Sequence, residues 1–223
     1  MGGDSSPALW GARAALIVLG LAGWFWSQRL IGQRAWPVGG IGDGIHQWTE
    51  RQNRWLRANP GAANALLIAT SALIDALGLY LLASAIFGPS FRPFLGLLLL
   101  FVLRQTCQGL CALPPPEGMI WRHPGFPSLL VTYGTATDLF FSGHTAIAVY
   151  GGIELARLGG VWAWVGIAVA AIEATTVLVL RAHYTMDVFA AIFTALWAAA
   201  AAALLAPYFD RALAGLLGAL AGG

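Results

Sequence analysis

Two short stretches concentrate the groups able to do acid–base and nucleophilic chemistry. The first is Asp138-Leu139-Phe140-Phe141-Ser142-Gly143-His144-Thr145; the second is Arg181-Ala182-His183-Tyr184-Thr185-Met186-Asp187. His183 and Asp187 are four positions apart, so a helix places both on one face within reach of each other. A carboxylate on one imidazole nitrogen fixes the tautomer and raises the basicity of the other nitrogen, which prepares a histidine as a nucleophile. His144 follows the small pair Ser142-Gly143, where backbone N–H groups can approach an anion, and it is placed to protonate a leaving alkoxide. Arg181 and Arg104 are candidates for neutralising phosphate oxygens. A histidine nucleophile, a histidine acid, an orienting carboxylate and a cationic clamp suit phosphoryl transfer through a phosphohistidine. No metal and no cofactor is called for.

The elements that must position these groups follow from composition. Of 223 residues, 58% are hydrophobic and only 10% charged, against about 25% charged in an ordinary soluble domain. Mean hydropathy is +0.72. A soluble fold of this size cannot hide so much apolar surface, which excludes soluble enzymes, nucleic-acid binders and disordered scaffolds. All twelve basic side chains are arginines and the net charge is +2, too small to imply a nucleic-acid partner. A bilayer helix needs about 20 mostly apolar residues, and six segments qualify: about 14–31, 62–87, 94–113, 137–158, 161–180 and 186–205. The chain therefore reads as one all-α integral membrane domain over residues 1–223, a bundle of six transmembrane helices. His144 and His183 are 39 positions apart. That is one span down and one back, which returns both histidines to the same membrane side.

Between the first two spans, the segment 44–57 reads as a helix lying in the membrane interface. Trp48 and Trp55 share a face there, and Glu50 and Arg54 have i,i+4 spacing. Pro114-Pro115-Pro116 ends the third span, and the apolar tail after Pro207 reads as short. Asp75, Arg104 and Glu173 fall near mid-span, where each charge needs a reason. Arg104 and Glu173 lie at matching depth and are expected to pair, and Asp75 is expected to be satisfied by a neighbouring helix. Trp10, Trp24, Trp26, Trp36, Trp121, Trp162 and Trp164 cluster near span ends and read as interface anchors. His46 and His123 read as interfacial and surface histidines. Cys107 and Cys111, four apart on an apolar stretch, read as buried free thiols. Loop arginines place the side carrying the connection 1–2 in the cytoplasm.

At this point the residues resemble a known family. Ser142-Gly143-His144-Thr145 and His183-Tyr184-Thr185-Met186-Asp187 are similar to the paired signatures of the sphingomyelin synthase branch of the type-2 phosphatidic acid phosphatase superfamily. Arg104-Gln105, Gln108 and Leu113-Pro114-Pro115-Pro116 resemble the segment before the first signature in that branch. A similar pattern occurs in plant phosphatidylcholine:diacylglycerol cholinephosphotransferases. The likeness covers about 104–190 with a matching six-span layout around it. It implies a lipid head-group phosphotransferase in which His183 attacks phosphorus, Asp187 supports it, and His144 acts as acid and then as base. Asp138 matches an acidic position of the branch, and Glu117 is a further candidate for assisting His144 or holding a cationic head group. The absent lysine departs from the phosphatase signature. The resemblance also implies an active site on the periplasmic or lumenal face, opposite to the arginine count.

The expected activity is transfer of phosphocholine or phosphoethanolamine from a glycerophospholipid to ceramide or diacylglycerol. Partners are then a phospholipid donor and a lipid alcohol acceptor from the bilayer, with homo-oligomerisation left open. The alanine- and arginine-rich composition suggests a bacterial inner membrane. Two alternatives stay open: a lipid phosphatase or phospholipase-C-like hydrolase using the same three residues, and a non-catalytic lipid-binding membrane protein.

Overall fold

The computed structural model describes residues 7–33, 41–133 and 139–221. They form eight helices and, among the described residues, no strand: α1 (Pro7–Gly32), α2 (Gly44–Trp48), α3 (Glu50–Ala58), α4 (Pro60–Phe87), α5 (Arg92–Leu110), α6 (Gly143–Ala156), α7 (Val161–Val179) and α8 (Thr185–Ala221). Five of them, α1, α4, α5, α7 and α8, are long and apolar enough to cross a membrane. The protein is thus an all-α, multi-pass membrane protein.

The segment expected to span at 137–158 differs. Its helix starts only at Gly143, because Ser142 is the N-cap and its side chain accepts the Thr145 N–H. Residues 134–138 lie outside the described part. The resulting α6 has 14 residues, a length of about 21 Å against about 30 Å for a bilayer core. It is instead the most enclosed helix of the bundle, with His144, Thr145, Ala146, Ala148 and Tyr150 all buried. At Gly152 and Gly166, α6 and α7 meet backbone to backbone: a methyl at Gly152 would come within 2.8 Å of the Gly166 carbonyl oxygen. Only small residues permit that approach. The far end of α6 is pinned by ions: Arg92 binds the buried Glu154 at 2.8 Å, Arg157 binds it at 3.2 Å, and the Tyr150 hydroxyl donates to the Arg92 carbonyl at 3.0 Å.

Other expectations need correction. The tail after Pro207 is not a short appendage, because α8 continues through Pro207 to Ala221. Its extension is held from outside the helix. Phe209 stacks on Phe91 at 5.0 Å, and Asp210 accepts the Phe91 N–H at 2.9 Å and binds Arg13 at 3.4 Å. The segment 44–57 forms two short helices broken at Thr49, with His46, Asn53 and Leu56 buried. Arg104 and Glu173 do not pair. Glu173 accepts the Thr70 hydroxyl across the α4–α7 contact, whereas Arg104 donates to the Phe141 carbonyl at 3.0 Å. Asp75 is met by a loop rather than a helix, accepting the Leu129 and Leu130 N–H groups at 2.7 and 2.8 Å. Of the two free thiols, Cys107 is half-buried and Cys111 is exposed.

Candidate active site

The second signature sits on a tight turn between α7 and α8. Arg181 takes a left-handed φ of 54°, an uncommon conformation for a side chain with a Cβ. The turn places His183 just before α8, and Asp187 in its first turn. His183 Nδ1 stands 3.5 Å from Asp187 Oδ2, and both side chains are buried. Asp187 Oδ2 also accepts the Tyr184 N–H at 2.8 Å, which fixes the carboxylate against its own turn. With Nδ1 turned to the carboxylate, Nε2 of His183 is the nitrogen left for chemistry.

The two signatures are joined through the main chain. The Ser142 N–H donates to the Asp187 carbonyl at 3.2 Å, so the N-terminus of α6 is set directly against the first turn of α8. Ser142 itself is fully buried. Its hydroxyl donates to Thr145 Oγ1 at 3.0 Å and accepts the Thr145 N–H at 3.3 Å. Its role here is the cap. His144 and His183 then line one pocket, together with Gly143 and Arg104. The pocket has a cavity volume of about 40 Å³, and its remaining wall is mainly apolar, including Trp24, Ile74, Phe101, Leu130, Val131 and Ile147. Among the described residues, His144 Nε2 is buried without a hydrogen-bond partner. An unpaired buried polar atom is costly, and a bound polar ligand relieves it. Arg104 lies against Gly143, where a methyl would come within 3.2 Å of its Nε.

Arg181 is placed differently. Its guanidinium ion-pairs with Glu50 and donates to the carbonyls of Glu117 (2.5 Å) and His46 (3.1 Å). It lines a separate recess with Asp43, Glu50 and Glu117. Glu117 is exposed there and gives Arg181 only its main-chain oxygen. Of the two arginines, Arg104 therefore shares the pocket of the histidines, and Arg181 ties their turn to α2 and α3. Asp138 lies outside the described residues.

Sequence reasoning missed three contributors. The first is the 43–46 segment. Asp43 caps α2, accepting from Ile45 and His46 N–H groups at 3.0 and 3.1 Å. It also accepts the Thr185 N–H at 2.6 Å and the Thr185 hydroxyl at 2.7 Å. Burial alone would raise the Asp43 carboxyl, but the bonds from Thr185 and His46 outweigh it and hold it below its ordinary value. His46, read as merely interfacial, is buried and donates from Nε2 to the His183 carbonyl at 2.9 Å. The only signal was an Asp two positions before a short amphipathic run, a capping pattern.

The second contributor is Trp121, read as an interface anchor. It meets the His144 ring edge-on at 5.2 Å and lies tilted against Tyr133 at 4.7 Å. Burial raises the Tyr133 phenol above its ordinary value. The third is Trp24, also read as an anchor, which is 7% exposed and stacks on Phe101 at 4.7 Å. His123 is exposed, as a surface histidine should be.

A family model described as AtPDCT1/2 matches residues 43–204. The match begins at the Asp43 cap, takes in both signatures, and leaves α1 outside. No curated protein and no solved structure matches the chain.

Proposed function

The chain belongs to the AtPDCT1/2 family of plant phosphatidylcholine:diacylglycerol cholinephosphotransferases, and from that premise we propose that it moves a phosphocholine or phosphoethanolamine group between lipids through His183. The observation that carries this reading is the shared pocket: His183, with the buried Asp187 3.5 Å behind it, faces the same space as His144 and Arg104.

In the proposed first half-reaction, His183 Nε2 forms a bond to phosphorus of the donor phospholipid. The P–O bond to the diacylglycerol oxygen breaks, and that oxygen takes its electron pair and then a proton from His144. Asp187 holds the Nδ1 proton of His183 and offsets the charge on the ring. Arg104 neutralises the anionic phosphoryl oxygens. In the second half, His144, now neutral, removes the proton of a lipid alcohol. The alcohol oxygen attacks phosphorus, and the N–P bond breaks with its electron pair returning to His183. Ceramide and diacylglycerol are the proposed acceptors, the first from the likeness to the sphingomyelin synthase branch. Asp138 is the proposed acidic assistant of His144.

We further propose that the enclosed α6, with the turn before it, makes the sixth passage of the bundle, and that α2 and α3 rest at the interface. The exposed Trp48 and Trp55 support the second point. The alanine-rich, lysine-free composition supports a bacterial inner membrane.

The test is a head-group transfer assay with purified protein and labelled phosphatidylcholine or phosphatidylethanolamine, with and without diacylglycerol or ceramide. Transfer only with an acceptor supports the reading. Release of water-soluble phosphocholine regardless of acceptor replaces it with hydrolysis. A label trapped on His183 in a His144→Ala protein, stable to alkali and labile to acid, supports the intermediate; the same label on Ser142 would overturn it.

A further inference from the structure

We propose that the groove between α1 and α5 holds an acyl chain of the lipid whose phosphate end lies at His144 and His183, and that the stacked pair Trp24–Phe101 is the sill between groove and pocket. The inference rests on the lipid-transfer reading above and adds a chain-binding site on α1, a helix outside the residues matched by the family.

The groove offers a volume of about 410 Å³ between Leu19, Gly20 and Gly23 of α1 and Leu98, Phe101 and Val102 of α5. Trp24 and Phe101 line it and also line the catalytic pocket, so the two spaces share a wall made by these two rings. The groove is open on the outside, where Leu19 and Val102 are exposed, and a bilayer would cover that side.

Its polarity is graded along the helices in the sense an amphiphile needs. Gly20 packs beside Phe94 and Leu98, Trp24 beside Phe101, and Gln28 beside Arg104 and Gln105. The two helices therefore run parallel. Their apolar ends lie together, and Ser27, Gln105 and Thr106 lie together at the Arg104 end. An acyl chain lies along the first end while its ester and phosphate groups meet the second.

Two buried polar atoms point to a ligand rather than to lipid solvent alone. Trp24 Nε1 and Gln105 Oε1 have no hydrogen-bond partner among the described residues. The indole N–H is a donor with nowhere to go inside the protein, and an ester carbonyl oxygen arriving over the sill accepts it. Gly23 supplies the room: a Cβ there meets nothing within 4 Å, so a larger side chain fills the groove without disturbing the packing.

The experiment uses the full chain in nanodiscs and two photoactivatable probes, phosphatidylcholine and diacylglycerol, each with a diazirine in one acyl chain. Labelling is mapped by mass spectrometry and needs no turnover. Labels are expected on peptides covering 19–27 and 98–106, reduced about tenfold by Gly23→Leu, since displacing even two buried methylenes costs that much. Gly23→Ala should give a smaller reduction in the same direction, and serves if the leucine variant does not fold. Ile167→Trp, a comparable enlargement on the exposed face of α7, should leave the pattern as it was. The phosphatidylcholine label is the one expected to respond to Gly23→Leu; a response confined to diacylglycerol, which has no phosphate end, would overturn the proposal. Labels spread equally over Ile167 and Phe193 surfaces, or labels indifferent to Gly23→Leu, would overturn the proposal. The transfer activity of His183→Ala, measured separately, judges the catalytic reading and leaves this one independent of it.

Discussion

The Asp43 carboxylate accepts the Thr185 N–H at 2.6 Å while capping its own helix, so one side chain closes the N-termini of α2 and α8 across 142 positions of sequence. Thr185 lies between His183 and Asp187, so this bond fixes the spacing of the reactive pair from outside the signature. Asp43→Ala should cost about 2 kcal/mol, two caps at about 1 kcal/mol each. It should also lower the rate of transfer, as the turn loosens. Melting of the purified variant in detergent checks the first, and a loss under about 0.5 kcal/mol would contradict the double cap.

The same carboxyl gives a pH dependence. Its folded-state value lies below the ordinary one, so its stabilisation is complete above the unfolded value of about 3.9 and is lost as pH falls through the folded value. The melting gap between the parent protein and Asp43→Asn should therefore hold constant at neutral and mildly acidic pH. It should close only below about pH 4. A gap that widened on acidification would mean that the carboxyl is not held ionised by Thr185 and His46.

Asp187→Asn keeps an oxygen for the Tyr184 N–H but removes the charge facing His183 Nδ1. Head-group transfer should fall by about 10²- to 10⁴-fold, with little change in melting temperature. Activity within twofold of the parent would remove Asp187 from the mechanism.

The two arginines should separate by readout. Arg181→Gln breaks the tie to Glu50, His46 and Glu117 and should act on stability, by about 1–3 kcal/mol. Its effect should be smaller when Glu50→Gln is already present, as a double-mutant cycle would show. Arg104→Gln should act on kcat, by about 100-fold, through lost stabilisation of phosphoryl oxygens. Equal effects of both on kcat would place Arg181 back among the phosphate ligands.

Gly152→Ala should destabilise by about 1–3 kcal/mol, because the methyl meets the Gly166 carbonyl and forces α6 from α7. Thermal melting measures it. A neutral effect would mean that the helices separate at no cost.

What the sequence determined by itself is local. Composition declared a membrane bundle, since apolar surface on this scale has no aqueous solution. The four-residue spacing of His183 and Asp187 anticipated their proximity, although the pair meets across the turn, with His183 two residues before α8 and not on it. Ser142 reads in the sequence only as a small residue for anion approach, and the apolar stretch before it extends the expected span past the helix start that its cap sets at Gly143. What only the tertiary structure decided is partner choice over long separations. Arg181 sits two residues from His183, yet packing turns it to Glu50, 131 positions away. Arg104 was matched to Glu173 by depth, but depth along two helices says nothing about which faces meet, and its partners became Phe141 and Gln28. Trp24 and Trp121 carried the composition of interface anchors and became pocket walls: Trp24 stacks on Phe101, and Trp121 is carried inward by the segment 111–133, which is held through Asp75 and through Ile120, whose N–H donates to Leu180. Such contacts join surfaces that are remote in the chain, and their geometry is fixed only when every helix has taken its place.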